Sequence, residues 1–208
     1  VKTGRPYDHS GDSAILASAL DLVAERGYDG LSLDEVASRT GKAKTTLYRR
    51  WATKEELVIA AIRDAGRPPE SDELPDSGSL RSDLLAVIDS AWFGGPERRI
   101  SIFSGLSTVS RTSEKVADVV RTEVTRPYVE IYRRLLERAL ERGDIQADRA
   151  PVIPILADVI PAMSTHRLAA VGEPVTRDYY VSVIDDVLLA ALHATSAQAT
   201  STQTTTRS

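Results

Sequence analysis

Six basic side chains fall between positions 39 and 54 (Arg39, Lys42, Lys44, Arg49, Arg50 and Lys54), and no acidic residue interrupts them. Cations at that density bind a polyanion by releasing its condensed counterions. Among them stand Thr45, Thr46 and Tyr48, whose hydroxyls can bond to phosphate oxygens or base edges. Other chemistry finds little support. The chain has three histidines (His9, His166, His193), none of them paired at metal-ligand spacing, and no cysteine. It carries no glycine loop of the phosphate-cradling kind. The sequence therefore implies no catalytic residue, no metal and no cofactor.

Net charge at first points the other way. The 208 residues hold 26 basic and 30 acidic side chains, a formal −4. Outside the window, 20 basic residues face 30 acidic ones, a net −10. An acidic chain with one +6 window presents a single face to a polyanion and repels it elsewhere. A hydrophobic fraction of 42% is enough to fold, which excludes wholesale disorder. No apolar run is long enough to span a membrane, and the charged N-terminus does not read as a signal peptide. With no cysteine, a cytoplasmic protein is expected.

The elements that must position the basic window read as helices throughout, about nine of them, in an all-α fold. A polar arm over 1–11 precedes a first helix from Asp12 to Arg26, with Ile15, Leu16, Ala19, Leu22 and Val23 on one stripe and Gly27 as its stop. Ser32 to Glu35 makes a capping box that opens a second helix ending at Gly41. A short third helix runs from Ala43 to Tyr48, and a second capping box at Thr53 to Glu56 opens a fourth that ends at Gly66. Ala37 is small where two helices must approach, and Gly41, four residues on, can take the positive φ of a tight turn. This is helix-turn-helix spacing. The bland alternative is a solvated helical hairpin on an unrelated all-α protein, which a basic run alone would favour and this combination does not.

From Arg26 to Leu57 the residues, with Gly41, Leu47-Tyr48, Trp51, Lys54 and Leu57 in register, resemble the N-terminal DNA-binding domain of the TetR family of bacterial transcription regulators. The resemblance covers residues 10–62; beyond 80 it is architectural only. It implies a homodimer on a double-stranded DNA operator, most often as a repressor released by a small-molecule effector. Residue by residue, it places Thr45 and Thr46 at base edges or sugars, Tyr48 and Lys54 on phosphates, and Ser32 on a phosphate while it caps. Lys44 and Arg49 become backbone contacts, and Arg5 in the arm reaches the minor groove. Lys42 departs from the pattern, which is commonly apolar there; it either adds a phosphate contact or loosens the turn. Trp51 and Tyr28 read as core, and Arg50 as an exposed charge.

Residues 67–79 hold three prolines, four acids and a glycine, which marks a linker between a DNA-binding domain at 12–66 and a helical domain at 80–194. In the latter, one stripe is Leu84, Leu85, Ile88, Ala91 and Trp92; further helices start near Pro96, near Ser113 and at Pro127, the last ending at Gly143. Pro154 and Pro161 kink or break a helix over 149–170, and a final helix spans 176–194. Leu156 and Val159, with Tyr180, Ile184, Val187, Leu188 and Ala191, are the expected dimer interface. Trp92, Phe103, Tyr128, Tyr132, Met163 and His166 are candidates to line an effector pocket, although aromatics at helical spacing are more often plain core. Nine of residues 195–208 are Ser or Thr, so a disordered tail is expected. A second reading stays open, an all-α interaction protein that keeps the motif without binding an operator.

Overall fold

A computed structural model describes residues 10–65, 73–171 and 175–193. Arg5, the rest of the arm up to residue 9 and the Ser/Thr tail lie outside these residues, while residues 10 and 11, expected in the arm, already belong to the first helix. Every regular element among the described residues is helical: α1 Ser10–Arg26, α2 Leu33–Thr40, α3 Lys44–Arg50, α4 Lys54–Asp64, α5 Leu80–Ile88, α6 Pro96–Thr112, α7 Glu114–Val120, α8 Arg126–Arg142, α9 Ile153–His166, α10 Arg177–Ser182 and α11 Ala190–His193. A π-turn at Arg121–Thr125 joins α7 to α8, and another at Val183–Leu189 joins α10 to α11. The described residues thus make nine continuous helical rods, as the sequence reading expected.

The differences from the sequence reading have local causes. Pro127 does not start a new helix. The Arg126 N–H reaches back five residues to the Arg121 carbonyl, and this widened turn makes room for a proline ring that would otherwise meet the carbonyl four residues before it. Pro154 sits in the first turn of α9, where no N–H is missed, so α9 starts there after a 3₁₀ stretch at Ala147–Val152. α5 stops at Ile88, short of the Ala91 and Trp92 expected on its stripe. The chain then turns through Trp92–Gly94, with Phe93 at φ 57°.

Two apolar cores form, and they do not divide at the 67–79 segment. In the first, Ile15, Leu22, Val23, Val36, Leu47, Leu57 and Ile62 from α1–α4 pack with Ile102, Leu106, Val116 and Val124. α6 and α7 therefore share a core with the helix-turn-helix. The second joins α5, α8, α9 and the last helix through Leu84, Leu135, Leu136, Ala157, Ile160, Ile184 and Leu188. The weld between α1 and α6 is close. A Cβ at Gly105 would stand 2.2 Å from the Val23 carbonyl oxygen, and the Tyr28 N–H donates to the Gly105 carbonyl at 3.0 Å. No helix among the described residues is long and apolar enough to cross a membrane.

Candidate nucleic-acid interface and interior cavity

The turn between α2 and α3 is built as its residues dictate. Gly41 adopts φ 64°, and the Lys42 N–H closes on the Ala37 carbonyl at 3.0 Å, which ties off the end of α2. Lys42 itself is exposed and the turn is intact, so the departure at this position costs no packing. Ser32 caps α2 by accepting from the Glu35 N–H at 3.2 Å, and Thr53 caps α4 by accepting from the Glu56 N–H at 3.1 Å. Leu47, fully buried, anchors α3 from below, and Trp51 is core as expected. What α3 turns outward is Lys44, Thr45, Tyr48 and Arg49, with Tyr48 50% exposed and Thr46 half-buried at the margin.

The electrostatics differ from the bare count of six cations. Arg39 makes a double hydrogen bond to Glu25 at 2.8 and 2.6 Å, which holds the Glu25 carboxyl below its usual range and raises the arginine. Lys44 is hydrogen-bonded to Asp34 at 2.6 Å, and that bond raises its pKa. Arg50, expected as an exposed charge, is instead half-buried and paired with Asp12 at the start of α1. Lys54 donates to the Tyr28 carbonyl at 3.2 Å and lies 4.4 Å from the centre of the Tyr28 ring. Burial raises the Tyr28 phenol. Lys42, Arg49 and Lys54 remain the cations of the window with no acid within salt-bridge distance among the described residues. The partners Asp12, Glu25 and Asp34 all lie upstream of the window, which is why counting inside it missed them.

A cavity of about 280 Å³ lies where the two cores meet. Leu106 and Val124 face it from the first core, Ile88, Tyr132 and Ile160 from the second, while Tyr128 packs against both. Three of the expected lining residues are there: Phe103, Tyr128 and Tyr132. The other three are not. Trp92 stacks behind Tyr128 at 4.6 Å because α5 ends before it, His166 is exposed, and Met163 packs into the second core. α9 shows the cavity the face carrying Ile160, Pro161, Ser164, Thr165 and Leu168, one step round from the expected one. Sequence reasoning missed Arg99 and Arg111 on α6 and gave Tyr180 to the interface rather than the cavity.

The expected interface residues also need correcting. Ile184 and Leu188 are fully buried in the second core of their own chain, and Leu156 is 6% exposed there. Val159, Tyr180 and Ala191 pack against the same core, half-buried. The outward faces of the two helices carry Val187, 39% exposed, and Ile155, which was not anticipated and is 69% exposed. The Tyr179 hydroxyl donates to the Met163 carbonyl at 3.3 Å, which ties the end of α9 to the start of the last helix.

Comparison with known proteins follows this geometry closely. Residues 15–61 match the family model described as bacterial regulatory proteins, tetR family. Residues 74–187 match a tetracyclin repressor-like C-terminal domain. A DNA-binding transcriptional repressor TetR of Mycobacteroides abscessus is 35% identical over 179 residues, covering 85% of this chain and 91% of its own. Among solved structures, the TetR family transcription regulator SCO0332 superposes with a TM-score of 0.55 at 25% identity, covering 86% of this chain and 97% of the other. The regulator FadR of Bacillus subtilis, solved in complex with stearoyl-CoA, shares the fold at a TM-score of 0.52 and 17% identity, over 86% of this chain and 97% of that one.

Proposed function

The chain belongs to the TetR family of bacterial transcription regulators and is a DNA-binding regulator; from that premise we propose that it is a dimeric repressor whose grip on a palindromic operator is released by a small molecule in the seam cavity. The observation that carries the DNA half is the outward face of α3. A seven-residue helix, pinned by buried Leu47, offers Thr45 to base edges and Tyr48 and Arg49 to phosphates, and Lys42 in the Gly41 turn that leads into it offers a further phosphate contact. Lys44 joins them by exchanging Asp34 for a phosphate. Both partners of that pair are substantially exposed, so little holds it in water. Thr46 supports the edge of the same face, and Ser32 and Lys54 flank it at the N-termini of α2 and α4.

The Asp34 exchange has a measurable consequence. Asp34→Ala removes an acid from beside the phosphates and frees Lys44, so affinity for any duplex should rise about three- to tenfold at low salt, without a change in sequence preference. Fluorescence anisotropy with operator and scrambled duplexes checks both halves. Equal or weaker binding by the variant would place Lys44 away from the DNA.

For the dimer, the reading uses the outward faces of α9 and the last helix, which carry Ile155 and Val187. Two copies packed there would carry their α3 helices to successive major grooves, about 34–36 Å apart. Ile155→Glu with Val187→Glu should yield a folded monomer by sedimentation, because neither side chain belongs to the protomer core. Leu188→Glu would be a poor test, since it puts a charge into that core. A double variant that stays dimeric would put the interface elsewhere.

The effector half rests on the cavity's place between the cores. α6 forms one wall and is welded by its other side to α1 at Gly105, so an occupant that spreads the wall moves the core holding α3. Release then follows if the occupant binds the spread form better than the operator-bound one. The stearoyl-CoA complex of the Bacillus neighbour supports the idea that this fold admits ligands.

A further inference from the structure

The charges on the cavity wall are all of one sign. Arg99 and Arg111 line it, and no Asp or Glu does. Arg99 is 4% exposed, one of two polar or charged residues buried to that degree among the described residues. The contrast with the other, Asp83, is informative. Asp83 accepts from the Ser77 N–H and hydroxyl, both at 2.7 Å, and has Arg142 at 3.5 Å as a counter-charge. Among the described residues Arg99 has only neutral acceptors, the Ile88, Ser90 and Trp92 carbonyls and the Ser90 hydroxyl.

Those carbonyls at the end of α5 explain why the guanidinium folds into this position, but they supply partial charges and not a full one. The Arg99 charge is felt by the Asp89 carboxylate, but that acid is already held by Arg177 through bonds of 2.9 and 2.8 Å. Beside Arg99, the Tyr128 ring centre lies 5.7 Å from the guanidinium carbon, and the Tyr128 hydroxyl is buried without a hydrogen-bond partner. A buried cation with no ion pair among the described residues and a buried donor without an acceptor stand together on one apolar wall. Each is costly alone, and a carboxylate would satisfy both.

We propose that the cavity binds a compact apolar carboxylic acid, its carboxylate taken by Arg99 and Tyr128 and its body packed on Phe103, Leu106 and Ile160. This deepens the effector reading above and rests on it for any effect on DNA. The volume, at the small end for ligand pockets, suits a ring or short branched chain better than a long acyl chain.

Calorimetry on the full chain tests it with isosteric sets: phenylacetate, phenylacetamide and phenethylamine, then cyclohexanecarboxylate, its carboxamide and cyclohexylmethylamine. At least one acid should bind about tenfold tighter than its amide, with no heat from the amines. Tyr128→Phe deletes an unpartnered hydroxyl, so the empty protein should stay folded while the acid loses about three- to tenfold in affinity and the amide is unaffected. Arg99→Gln should erase the acid preference; if it unfolds, the tyrosine variant still decides. An amide or amine that binds as well as its acid, no acid binding at millimolar concentration, or an unchanged acid affinity in Tyr128→Phe overturns the proposal. Acid binding that leaves operator affinity unaltered would overturn the effector reading while the carboxylate site stands. An uncharged compound that releases the operator from this cavity would do the reverse.

Discussion

Gly105→Val should be the most damaging single substitution in the chain, with a loss of about 3 kcal/mol or more in unfolding free energy. A Cβ at this position would stand 2.2 Å from the Val23 carbonyl oxygen and 2.9 Å from a Val23 methyl group, and the oxygen belongs to backbone that cannot swing away. α1 and α6 would have to separate, which breaks the Tyr28 N–H to Gly105 carbonyl bond and opens the first core from Ile15 to Val124. For a chain of this size, that stability loss corresponds to a fall of roughly 6–12 °C in melting temperature. Gly105→Ala should give a smaller loss in the same direction. Glycine scarcity of space is the cause, so Gly78→Ala, with nothing within 4 Å of the added carbon, serves as a comparison whose only strain is its φ of 79°. Urea denaturation measures all three. A Gly105→Val protein as stable as the parent would mean that the helices are not in contact there.

The second large effect concerns DNA. Lys42→Ala with Arg49→Ala removes the two exposed cations of the window that have neither an acid nor a carbonyl partner among the described residues. Affinity should fall about 10- to 100-fold at moderate salt, equally for every sequence, and the slope of log affinity against log salt should flatten by about two. Arg39→Ala should do far less to binding, because Glu25 and Glu35 already hold that guanidinium. Sequence preference should survive in both variants, since none of these residues is assigned to a base. If Arg39→Ala proves as damaging as the double variant, the window acts through its total charge and the ion pairs do not matter.

Local rules carried much of this architecture into the sequence. The capping serines and threonines at 32 and 53 and the glycine at 41 announce their helix ends through backbone chemistry that needs no tertiary partner. Long-range facts were hidden for equally physical reasons. Apolar periodicity shows that Leu188 and Ile184 are buried but not by what, and the structure buries them within their own chain. An amphipathic stripe seen in one chain cannot separate a core from an interface. The π-turn ahead of Pro127 turns a strong helix-start signal into the middle of a continuous rod. α9 is apolar on more than one face, so its rotation toward the cavity could not be read from spacing, and Met163 and His166 were assigned in place of Ile160 and Ser164.

Charge behaved likewise. Six cations in sixteen positions single out one segment of an acidic chain, but half of them find acids on α1 and α2. The buried Arg99 gave no sequence signal, because an Arg-Arg pair at the start of a helix reads as solvent-facing. Its burial depends on α5 ending at Ile88 and presenting carbonyls to it.

The central claim is that the outward face of α3 reads a specific DNA sequence. Anisotropy titration of the purified protein against the duplex upstream of its own gene and a scrambled duplex, for the parent and Thr45→Ala, tests it most directly. The parent should prefer its own site by about a thousandfold or more, and Thr45→Ala should lose about 1–3 kcal/mol of discrimination at one fixed base position while its binding to scrambled DNA stays the same. Equal affinity of the parent for both duplexes at every salt concentration would contradict the account.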